Sequence, residues 1–102
     1  MKLSLTKAAV GLKEYIVLAG TPLINERNRI INAIQDDYTN ICFFAADDDS
    51  ETKKELTDRM TTMVNKFASF DKPTQMILES MRQQLAMLQA DVKTYLESLN
   101  QA

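Results

Sequence analysis

The residues of this chain best suited to chemistry are the carboxylates Asp47, Asp48 and Asp49, followed by Glu51. A calcium loop places oxygen ligands at positions 1, 3, 5, 7, 9 and 12 and needs Gly at position 6 for its turn. Counting from Asp47 puts Asp49, Glu51 and Asp58 at positions 3, 5 and 12, but Thr52 stands where the Gly should be. The run therefore reads as a solvated acidic turn whose charges favour the positive N-terminus of a following helix. The one cysteine, Cys42, has no second thiol to pair with, and its neighbours Asn40 and Phe43 supply no positive charge to activate it. It reads as a small, semi-buried packing residue.

The rest of the catalytic repertoire is thin. The chain has no histidine, which removes the commonest general base and the commonest metal ligand. Its two glycines, Gly11 and Gly20, form no phosphate-cradling loop. Catalytic, cofactor-binding and metal-ligating residues are thus all expected to be absent, and no enzyme is expected.

Composition points the same way. The 102 residues suit one domain, 1–102, and 45% apolar content is enough for one core. Twelve basic against fourteen acidic residues give a net charge of −2 and a pI near 5.0. The bases are scattered rather than clustered, so nucleic acid is not an expected partner. No window approaches the roughly 18 apolar residues of a membrane span, so insertion is not expected, though peripheral association is compatible. Lys7, Lys13 and Glu14 come too early for a signal-peptide apolar region.

The elements that would position these residues are helices. Low Gly and Pro content with abundant Leu, Met, Ala, Gln, Lys and Glu favours an all-α fold. Three breaks divide the chain: Gly20-Thr21-Pro22, Asp47-Asp48-Asp49-Ser50 and Asp71-Lys72-Pro73-Thr74. Gly ends a helix, Thr or Asp caps the next, and Pro fits its first turn.

Apolar spacing between the breaks predicts four helices. The first, about 4–19, carries Leu5, Ala8, Ala9, Leu12, Ile16 and Ala19. The second, about 22–45, carries Leu23, Ile30, Ile34, Tyr38, Ile41 and Ala45. The third, about 50–69, carries Leu56, Met60, Met63 and Phe67. The fourth, about 73–100, carries Leu78, Met81, Leu85, Leu88, Val92, Tyr95 and Leu99. Short connections make sequence neighbours antiparallel, which predicts an up-down-up-down four-helix bundle. Pairs four apart, such as Glu55 with Arg59, support the exposed faces. Ile24, Ile31 and Phe43 lie off the stripe of the second helix, Phe44 and Phe70 near helix ends, and Val17 and Leu18 near the first break. They read first as a wide stripe on a well-buried helix and, as the sharper alternative, as an exposed docking patch around the helix ends. Met76 and Met87 fall off the fourth stripe and are candidates for an adaptable contact, and surplus apolar stripe leaves self-association open.

One resemblance adds to this. Lys13, Tyr15 and Ile16, then Pro22, Asn25, Arg27, Arg29 and Asp36-Asp37, and finally Lys53-Lys54 opening the third helix, are similar to the PsbQ family of extrinsic photosystem II subunits. Thr21 stands where that family usually has a Trp before the Pro. The resemblance implies a non-catalytic bundle docked on the lumenal face of photosystem II, where it stabilises the oxygen-evolving complex. It implies Lys13, Arg27, Arg29, Lys53 and Lys54 as electrostatic contacts and, for a mature chain, a place in the thylakoid lumen peripheral to the membrane. The rival expectation is a small cytoplasmic adaptor, chaperone or inhibitor of bacterial or phage origin that binds a protein through one bundle face.

Overall fold

The computed structural model describes the backbone of residues 11–100 and the side chains of residues 22–100. Among the described residues it is all-helical, with α1 (Gly11–Phe44), α2 (Glu51–Ala68) and α3 (Gln75–Asn100). Two connections of six residues, 45–50 and 69–74, reverse the chain twice, so α2 runs antiparallel to α1 and α3. None of the three is long and apolar enough to cross a membrane.

The expected four helices are corrected to three, because Gly20-Thr21-Pro22 does not interrupt α1. Pro22 lies inside the helix, where it forfeits one backbone hydrogen bond and crowds the carbonyl of Leu18. Spacing explains the continuity. Leu12, Ile16, Ala19, Leu23, Glu26, Ile30, Ile34, Asp37 and Ile41 step 4-3-4-3-4-4-3-4, so the stripe keeps phase across the supposed break. Part of the first predicted helix, 4–10, and the side chains of its stripe lie outside the described residues.

The other two breaks are turns, each with its own cap. Ser50 adopts extended backbone and its Oγ accepts from the Lys53 amide at 3.3 Å, starting α2. Thr74 starts α3 by accepting from the Ile77 amide at 3.1 Å, which leaves Pro73 just before the helix rather than in it.

The core lies where α1 packs on both other helices. Ile34, Ile41, Met60, Phe67, Leu78, Met81 and Leu88 are each less than 2% exposed. Full burial of each such side chain stabilises the fold by about 1.5–3 kcal/mol. The expected stripe of α2 (Leu56, Met60, Met63 and Phe67) is buried throughout. That of α3 is buried or part-buried at every position, with Leu85 and Leu99 at the margin. On α1 one position is corrected: Tyr38 is 42% exposed, and Asp37 takes the place in the stripe. Both lie one helical turn from Ile34 and Ile41, so spacing does not separate them, and an apolar ring is the default choice for an inward position.

Candidate functional site

At the α1–α2 turn three helices are tied together by polar side chains. Asp48 Oδ2 accepts from Tyr95 Oη at 2.5 Å and from Ser50 Oγ at 2.6 Å. Tyr95 is buried; its phenol is pushed up to about 12, first by burial and then by its bond to the carboxylate. The same bonds, that from Ser50 foremost, hold the Asp48 carboxyl below its ordinary value. Lys53 Nζ reaches back to the carbonyls of Ala45 (2.8 Å) and Asp48 (3.0 Å). It supplies the positive charge that α1 lacks in its own last turn.

This clasp has little to offer as a reaction centre. Its acid is made stronger and its phenol weaker, so neither titrates near neutral pH as a general acid or base must. Nor does the run from Asp47 form a calcium loop, because the stretch from Glu51 to Ala68, Asp58 included, is helical.

The opposite end of the bundle carries a second polar layer. Glu26 pairs with Arg29 and with Arg82 of α3 at 3.3 Å, while Arg82 also holds Glu79 at 3.1 Å. Arg27 donates to the Phe70 carbonyl at 2.7 Å and to Asn28. Arg59 pairs across the bundle with Asp91 at 2.6 Å rather than with Glu55.

The five basic residues named by the resemblance do not form one patch. Arg27 and Arg29 lie at the α2–α3 turn, whereas Lys53 and Lys54 lie at the α1–α2 turn. From Arg27 to Ala45, where Lys53 is bound, is about 27 Å of helix at 1.5 Å per residue. Arg27 and Lys53 are half-buried and bonded inward; Arg29 is exposed but paired with Glu26. Lys54 is exposed and has no ion pair among the described residues. Lys13 stands on α1, and its side chain lies outside the described residues.

Asp37 is the polar residue that spacing alone missed. Its Oδ2 is buried and has no hydrogen-bond partner among the described residues. Burial raises its pKa above the ordinary value, Gln89 of α3 draws it partly back, and Asp36 adds to the rise. A buried carboxylate oxygen left without a partner among the described residues is a cost to stability.

The recesses are shallow. One of about 170 Å³ lies between α1 and α2, with Tyr38 at its wall and Met60 and Val64 opposite. A larger one of about 500 Å³ opens where α2 and α3 splay apart, floored by Leu56 and Tyr95 and lined by the Arg59–Asp91 pair.

The described residues leave two adjacent aromatic rings uncovered at the end of α1. Ile41 and Ala45 close the buried stripe, so the three residues between them turn outward. Phe43 is 75% exposed and Phe44 66%, with perpendicular rings whose centres are 4.9 Å apart. Cys42 beside them is exposed too, which corrects its expected semi-buried place. Along the sequence the charge flanking the pair has one sign: between Arg29 and Lys53 there are six carboxylates and no base. Asp36, Asp47, Asp49 and Glu51 among them are exposed. Of the other residues read as off-stripe, Ile24, Met76 and Met87 are exposed, whereas Ile31 and Phe70 pack against the core. No family model, curated protein or solved structure matches this chain.

Proposed function

We propose that the chain is a non-catalytic helical binding module that holds a protein partner against the Phe43–Phe44 pair. The observation that carries this reading is the exposure of two adjacent aromatic rings at a capped, well-tied end of the bundle. Burial of a Phe is worth about 1.5–3 kcal/mol, and aromatic anchors of this kind dominate protein interfaces. The Tyr95–Asp48–Ser50 clasp in the turn that follows them limits the motion that docking would have to freeze out. The test is crosslinking of the full chain in its source cells, compared with a Phe43→Ser/Phe44→Ser variant of unchanged helicity. The wild type captures a defined protein and the variant does not; equal capture by both removes this surface.

A narrower form of the proposal takes its partner from the resemblance: the lumenal face of photosystem II, with this chain stabilising the oxygen-evolving complex. Exposed Lys54 and Arg29 are the basic residues best placed for such contacts. Rebinding to salt-washed photosystem II membranes at low salt, released again at high salt, is the expected result. Failure to rebind at low salt leaves the adaptor reading, with a cytoplasmic partner.

A further inference from the structure

We infer that the Phe43–Phe44 surface takes a cationic protein segment, one that sets apolar side chains between lysines or arginines. The inference rests on the binding-module reading above and adds the chemistry of the occupant.

Charge carries the argument. Asp36 lies seven residues before Phe43, two helical turns along the same face of α1. Asp47 and Asp49 follow in the turn beyond Phe44, and all three are exposed. Lys53 directs its charge to the Ala45 and Asp48 carbonyls, and Lys54 beside it is exposed. The rim stays net negative, with Asp36, Asp47, Asp49 and Glu51 exposed against that one exposed lysine. An apolar centre inside an anionic rim favours partners of opposite sign and repels those of its own.

Two other occupants are disfavoured on the same ground. A second copy docking symmetrically would bring the two acidic rims together, at a like-charge cost across the interface. A phosphate backbone or an anionic lipid surface would meet the same repulsion. A cationic amphipathic segment suffers neither penalty: its apolar residues cover the rings and its bases face the carboxylates.

The chain has no tryptophan, so a tryptophan in a peptide probe reports binding without background. The probe is a short synthetic Lys/Leu peptide at helical spacing with one Trp, titrated against the full-length chain. Expected are saturable binding weakened by salt, and at least about a tenfold loss of affinity in both Phe43→Ser/Phe44→Ser and Asp36→Asn/Asp47→Asn/Asp49→Asn. A peptide with Glu in place of Lys is expected not to bind. If the serine variant loses binding and the asparagine variant keeps it, the aromatic surface stands as a binding site and the cationic occupant is overturned. If both variants bind as well as wild type, the surface itself is overturned. Concentration-dependent dimers that vanish in the serine variant and resist the peptide would assign the surface to a second copy and overturn the inference.

Discussion

Tyr95 Oη donates to Asp48 Oδ2 across 47 residues of sequence, joining the end of α3 to the α1–α2 turn. Ser50 shares the same oxygen while capping α2, so one carboxylate serves all three helices. Replacing Tyr95 with Phe keeps the buried ring and removes only the donor. We expect a loss of about 1 kcal/mol in urea unfolding, with little change in helicity. An unchanged midpoint would mean that the bond contributes nothing net.

Asp48 and Asp37 make opposite contributions to the pH dependence of stability. Asp48 is shifted down in the fold, so its contribution is present above the ordinary value of 3.8 and is lost as pH falls through its lowered pKa. Asp37 is shifted up, so its penalty is full above its raised pKa and disappears as pH falls toward 3.8. The Asp37→Asn variant should therefore be more stable than wild type at neutral pH, by no more than about 1 kcal/mol for a part-buried group. That advantage should fade on acidification, before the Asp48 contribution begins to go. Thermal melts across pH read both; a pH-independent gain would mean that the Asp37 charge is not its source.

Pro22 discriminates directly between three helices and four. Inside a continuous α1 it removes a hydrogen bond, so Pro22→Ala should raise helicity and stability by about 2 kcal/mol. At the first position of a separate helix, proline would be well placed and the same change would be neutral or slightly harmful. Circular dichroism with denaturant titration gives the answer.

Lys53 and Lys54 are adjacent and chemically identical, yet should respond differently to substitution. Lys53→Gln takes the cation from the Ala45 and Asp48 carbonyls at the end of α1, a loss of about 1 kcal/mol. Lys54→Gln alters an exposed side chain and should stay within about 0.5 kcal/mol of wild type. Equal effects would contradict the different roles read from their contacts.

Much of the fold was legible from spacing. Leu56, Met60, Met63 and Phe67 repeat with the helical period, and burial of that whole stripe followed from hydrophobicity alone. The turns at Asp47–Ser50 and Asp71–Thr74 were marked by residues that cap helices. Gly20-Thr21-Pro22 carried the same marks and misled, because each signal is local and the phase of the stripe runs through it. The candidate site was legible in part: Phe43 fell off the stripe and Phe44 near a helix end, but their exposure depended on which faces of α1 the other two helices cover.

By itself, then, the sequence determined the helical class, both turns between the described helices, the core stripes of α2 and α3, and the one-signed charge between Arg29 and Lys53. These follow from near-neighbour periodicity and composition, which need no knowledge of what packs where. Tertiary structure alone decided that Asp37 turns inward and Tyr38 outward, that Lys53 is bound while Lys54 is free of ion pairs among the described residues, and that Tyr95 meets Asp48. Each depends on which helix lies opposite, and a one-dimensional pattern does not carry that information when two neighbouring positions suit the same face.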